Sequence, residues 1–129
     1  MFGAIAIEAS PWPKDNLWLL QTAASDARIA GVVGNLDSGA PDFARDLERL
    51  HANPLFLGIR FGNLWGRDIG VELAKPAFIG GLKRLAAAGL VLDTANPRAE
   101  LMEAMVRVTD AVPELRVVLD HMPQLELDA

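Results

Sequence analysis

The sequence predicts an α/β fold made of a repeated βα unit, with about five parallel strands and four helices in one unit over residues 1–129. Three observations predict it. Five short apolar runs recur along the chain, the stretches between them carry apolar residues at helical spacing, and proline or glycine falls at the boundaries.

The first run, Gly3–Ala9, is short, continuous and apolar, as a strand covered on both faces would be. A helix follows in which Leu17, Leu20 and Ala24 share a face. Ala30–Leu36 is the second run, and Phe43, Leu47 and Leu50 make the next helical stripe, with Pro41 near its first turn. Leu55–Phe61 is the third run. After it comes the longest connection, Gly62–Lys75, with Gly62, Gly66 and Gly70 set around Trp65, Arg67 and Asp68. Long loops in compact domains are often functional. Pro76 opens a helix with Phe78, Leu82, Leu85 and Ala86 on one side, and Gly89 stands where a left-handed residue ends it. Leu90–Ala95 is the fourth run. Asn96 and Pro97 read as the cap and first residue of a helix carrying Leu101, Met105, Val108 and Val112, and Leu115–Asp120 closes the series.

Strands separated by helices of this length must be parallel and joined by right-handed crossovers. Two architectures satisfy that: an open doubly wound sheet, or part of a (β/α)₈ barrel.

Composition narrows the function. The net charge is −5 and the 12 basic residues are scattered, which argues against a nucleic-acid partner. There is no cysteine, so no disulfide, thiolate metal site or thiol nucleophile. Met1–Ser10 lacks a basic segment and a long apolar segment, and no run nears the ~20 apolar residues of a membrane span. The expectation is a cytoplasmic protein without a membrane partner. Phosphate-cradling glycine loops, HExxH, H-x-H and GxSxG are all missing.

In parallel α/β folds the site lies at the carboxyl ends of the strands. Those ends present Glu8 and Ser10, Asn35 and Asp37, Arg60 and Asn63, Asp93 and Asn96, and Asp120 and His121, while the opposite ends offer Ala30, Leu55 and Leu90. Asp37 before Ser38-Gly39 and Asn96 before Pro97 read as turn and cap residues. Arg60 interrupts an apolar strand, where an unpaired charge is expensive. It either pairs with a carboxylate, Asp37 or Asp93, or binds an anionic ligand bidentately. His121 follows a strand directly and can ligate a metal, transfer a proton or polarise a carbonyl. His51 reads as a solvated residue at a helix end.

Glu8-Ala-Ser with Asn16-Leu-Trp-Leu-Leu, then IAGVVGNLD (29–37), DFARDLERL (42–50), NPLFLGIRFG (53–62) and LRVVLDHMP (115–123), resembles the amidohydrolase-related family of barrel hydrolases, in its lactonase-like branch. The resemblance implies a partial TIM barrel corresponding to barrel strands two to six. It also implies a hydrolase that directs activated water at a lactone or similar carbonyl. His121 matches the strand-end histidine that polarises the substrate or binds a divalent metal such as zinc in the complete protein. Arg60 matches an arginine that grips an anionic small-molecule substrate, with Arg67 as a second contact. The family's H-x-H strand and its water-activating Asp strand have no counterpart here, so the chain alone is expected to be weakly active or inactive. Its open sheet edges are expected to pair with a second copy or with the remainder of a barrel. The alternatives are a self-associating remnant and a non-enzymatic open-sheet module. The receiver-like form of that module would need an Asp where Arg60 stands and a Lys where His121 stands.

Overall fold

Each apolar run becomes a strand and each amphipathic stretch a helix in the computed structural model, which describes residues 2–95 and 98–121. The order is β1 (Ala4–Ile7), α1 (Asp15–Ser25), β2 (Ile29–Gly34), α2 (Phe43–His51), β3 (Phe56–Arg60), α3 (Ile69–Glu72), α4 (Pro76–Ala87), β4 (Val91–Thr94), α5 (Ala99–Ala111) and β5 (Arg116–Leu119). All four strand pairings are parallel, and the sheet order is β1-β2-β3-β4-β5.

That order decides between the two architectures. A doubly wound sheet reverses its strand order at a switch point. Here the order never reverses, so right-handed crossovers put every connecting helix on the same face. The sheet is therefore a five-strand arc of the (β/α) barrel kind. The core lies between it and the helices. Val32, Ile59 and Leu92 are fully buried and cluster with Phe78, Leu82, Leu85 and Leu101. Phe61 meets Phe78 edge-on, with ring centroids 5.0 Å apart.

Several expectations hold as stated. Pro76 opens α4 at its first turn. Gly89 has φ +70°, and the Leu90 N–H reaches back to the Leu85 carbonyl at 3.1 Å. Phe43, Leu47 and Leu50 are buried on α2, and Leu101, Met105 and Val108 on α5. Others are corrected. The buried stripe of α1 runs through Asn16, Leu20 and Ala23, leaving Leu17 and Ala24 exposed. The cause is Asn16, whose amide is tied to the backbone of Asn35 and so sets the rotation of the helix. Pro41 lies in the turn before α2, whose N-cap is Asp42. The connection 62–75 is not all loop. Asp68 accepts hydrogen bonds from the N–H groups of Gly70 and Val71 at 2.9 and 3.3 Å and so starts the one-turn α3. Asn96 and Pro97 lie outside the described residues, and α5 has Arg98 at its N-cap.

The strands were expected to be covered on both faces, and the edge strands are not. Ile5 is 54% exposed and Val118 42%. The face turned away from the helices bounds a hollow of about 460 Å³ lined by Ile5, Ile7, Val33, Leu57, Val91 and Val118. Gly81 lets α4 approach the loop after β2, because a Cβ there would collide with the Ser38 backbone. Among the described residues no helix is long and apolar enough to cross a membrane.

Candidate functional site

The carboxyl ends of the five strands gather most of the predicted polar residues on one rim. Glu8 follows β1 and continues its ladder through a 2.9 Å N–H bond to the Val33 carbonyl. It is 5% exposed, and its Oε2 accepts the Ser10 N–H at 3.1 Å. Burial pushes its carboxyl above the ordinary value, against the opposing pull of the Ser10 N–H, Arg60, Trp65 and Arg67.

Asn35 follows β2 and serves as a staple. Its N–H donates to Asn16 Oδ1 at 2.7 Å, its carbonyl accepts from Asn16 Nδ2 at 2.9 Å, and its own Nδ2 donates to the Ser10 carbonyl at 2.6 Å. The loop after β1 is thereby locked to β2. Asp37 is a turn residue, as its sequence context indicated, and accepts the Gly39 N–H at 2.8 Å.

Arg60 ends β3, and parallel register sets it beside Asp93 of β4. Its Nε donates to Asp93 Oδ1 and its Nη2 to Asp120 Oδ2, so one guanidinium bridges two carboxylates. Of the two carboxylates expected as partners, Asp93 is engaged and Asp37 is not. The second partner, Asp120, was not anticipated. Its N–H extends the β4–β5 ladder to the Thr94 carbonyl at 2.9 Å, which brings its side chain beside Asp93. The signal lay in parallel pairing itself, since a residue one step past the fifth strand must fall next to the end of the fourth.

Side-chain exposure falls from 34% at Asp120 to 11% at Arg60 and 3% at Asp93. Burial pushes the Asp93 carboxyl up from its ordinary value. Arg60 opposes that rise, Asp120 adds to it, and His121 opposes it weakly. Arg60 itself gains a proton affinity above the ordinary one: burial works against its charge, and the two carboxylates more than restore it.

His121 stands on the same rim in a left-handed conformation, φ +67°. Its imidazole is 70% exposed, with Nε2 3.9 Å from Asp120 Oδ2, and its N–H donates to Asp120 Oδ1 at 3.2 Å. Arg67 lies with its guanidinium 4.9 Å from the Phe61 ring centroid and makes no ion pair among the described residues. Trp65 and Gly66 before it are both left-handed, φ +59° and +74°. For a bulky side chain such as Trp65 that conformation is a rare one, and it turns the loop so that Trp65 and Arg67 both act on Glu8. His51 ends α2, exposed and at the opposite end of the strands.

A divalent ion held by His121 does not fit the described residues. Among them no three His, Asp or Glu side chains converge. The two carboxylates nearest His121 already share a guanidinium, which repels a second cation.

Comparison with known proteins places this rim in context. The family profile described as amidohydrolase matches residues 1–127. The L-fucono-1,5-lactonase of Burkholderia ambifaria is 29% identical over 121 residues, covering 91% of this chain and 40% of that one. A solved amidohydrolase from Burkholderia multivorans with bound zinc superposes at TM-score 0.64 with 23% identity, over 91% of this chain and 52% of that one. A probable 2-pyrone-4,6-dicarboxylic acid hydrolase from Acinetobacter baumannii with citric acid bound gives 0.68 at 18% identity, over 92% and 42%. The chain thus spans between two-fifths and about half the length of these relatives. At these identities the solved structures speak for the fold alone.

Proposed function

This chain belongs to the amidohydrolase family, and on that premise we propose that it supplies part of the active site of a hydrolase that opens a lactone or a similar carbonyl compound. The observation that carries the proposal is the Asp93–Arg60–Asp120 bridge, with His121 and Arg67 beside it on the rim where parallel α/β folds place their chemistry. Water attacking a lactone carbonyl puts negative charge on the carbonyl oxygen. Groups placed to receive that charge supply much of the rate. His121, exposed and unburdened by packing, is the donor to that oxygen, and Arg67 adds positive charge from the loop. The bridge gives this half of the site a fixed frame, because a guanidinium held by two carboxylates cannot rotate away.

Ring opening releases a carboxylic acid, so a pH-indicator assay over a panel of lactones tests the reading. The expected outcome is slow opening above the buffer rate, reduced by about 10²-fold in His121→Ala. Undiminished turnover in that variant sinks the assignment of His121. Two observations favour a second reading, a self-associating remnant without activity: the uncovered inner face and the unpaired outer edges of β1 and β5. A chain that opens no lactone and sediments as an oligomer would put that reading first.

A further inference from the structure

The guanidinium of Arg60 is already spoken for. Of its five N–H donors, one on Nε goes to Asp93 and one on Nη2 to Asp120. A carboxylate gripped by Arg60 in fork geometry would have to displace one of these partners. Asp93 is 2% exposed and cannot be set aside without leaving a buried charge unpaired. The surrounding charge also disfavours an anion. Glu8, Asp93 and Asp120 stand against Arg60 and Arg67, a balance of −1 with His121 neutral. Farther out on the rim, Lys14 and Arg98 are outnumbered by Asp15, Asp37 and Asp68.

What the bridge leaves over is a mixed set of donors and acceptors. Arg60 keeps three N–H groups. Asp120, one-third exposed, keeps a lone pair on each oxygen after accepting from Arg60 and from the His121 N–H. Adjacent hydroxyls, each both donor and acceptor, match that edge, with one accepting from Arg60 while its neighbour donates to Asp120. An incoming carboxylate offers no donor and meets Asp120 as a like charge.

We infer that the Arg60–Asp120 edge is a diol-reading subsite and that the ligand of this site is uncharged and polyhydroxylated, not an anion clamped by Arg60. The inference rests on the lactone-hydrolase reading above and names the class of lactone. Arg60 is then a positioning and hydrogen-bonding residue, and Asp120 is the residue that sets specificity.

The test is calorimetric titration of the full chain at pH 7.5 in low salt with three probes. D-Gluconolactam carries a ring amide in place of the ring ester, so it is neutral, polyhydroxylated and not opened. D-Glucarate has the same carbon chain with a carboxylate at each end. δ-Valerolactam has the ring without hydroxyls. Gluconolactam is expected to bind at least roughly tenfold more tightly than either of the others, the scale of one unfavourable charge contact or one lost pair of hydrogen bonds. Asp120→Asn, checked for folding by circular dichroism, is expected to strengthen glucarate binding and narrow that gap. Glucarate binding as tightly as gluconolactam, or valerolactam equal to gluconolactam, overturns the inference while leaving a lactone site standing. If none of the three binds at millimolar concentration, the lactone reading itself falls, and the inference with it.

Discussion

Replacing Arg60 with leucine is expected to cost about 3 kcal/mol of folding stability at pH 7. The cost follows from which ends of the bridge are buried. At the Asp93 end both side chains are nearly closed off, 11% and 3% exposed, and removing one partner of such a pair typically costs about 3–5 kcal/mol. At the Asp120 end the carboxylate is 34% exposed and the pair is worth about 0–1 kcal/mol. The lower end of the first range applies because Asp93 has a way out. Burial already pushes its carboxyl up, and without the guanidinium it rises further and takes a proton. At roughly 2.1 cal/mol/K per residue over 129 residues, the loss corresponds to a Tm lowered by about 11 °C. Urea unfolding followed by circular dichroism measures it directly.

The sign of the pH dependence is fixed by the same argument. A carboxyl raised above its ordinary 3.8 in the folded state contributes stability below that value and loses it as pH climbs through the raised one. The Arg60→Leu deficit should therefore shrink in acid and grow towards neutrality. Adding Asp93→Asn, which removes the stranded charge, should recover about 2 kcal/mol. A deficit under about 1 kcal/mol at pH 7, a deficit flat across pH 5–8, or a double variant no better than the single would each refute the reasoning.

Three further outcomes follow from the geometry. Glu8→Gln should gain stability relative to wild type as pH rises above 4.5, because the buried carboxyl it replaces is raised and costs stability once ionised; urea midpoints from pH 4 to 7 read the difference. The neighbouring glycines of α4 should respond with opposite signs. Gly80→Ala meets nothing and should stabilise by about 0.5–1 kcal/mol through helix propensity, while Gly81→Ala drives a methyl into the Ser38 backbone and should cost about 2 kcal/mol in the same assay. Asn16→Ala strands the buried N–H and carbonyl of Asn35 and should cost about 3 kcal/mol, with amide exchange at Asn35 accelerated by at least as large a factor as global unfolding.

The strands were legible because each is a continuous apolar run with turn residues at its ends, and α2, α4 and α5 because their apolar residues fall at spacings of three and four. α1 was harder. Leu17, Trp18, Leu19 and Leu20 are all apolar, so periodicity alone cannot choose the buried stripe, and the tether from Asn16 to Asn35 chooses it. The one-turn α3 is too short to show any period. Its mark was Asp68, whose capping role depends on where Gly70 and Val71 point. At the site, the gathering of polar residues on one rim could be read from the strand ends. Which of them touch could not, because the Arg60–Asp93–Asp120 contact depends on the register of three strands, and register is set by packing across the sheet.

A sheet whose strands follow one another in sequence is a row of nearest-neighbour couplings, close to one-dimensional in its cooperativity. Such a row frays from its ends. β3, flanked on both sides, should show the slowest amide exchange, and the exposed β1 and β5 the fastest. The site straddles that gradient. Arg60 and Asp93 ride on the firm centre, while Glu8, Asp120 and His121 sit at the ends of the two strands that open first. A ligand bridging Arg60 and Asp120 therefore has to clamp an outer strand to the middle of the sheet. Its binding energy should be readable as slowed exchange along β5, well beyond the atoms it touches.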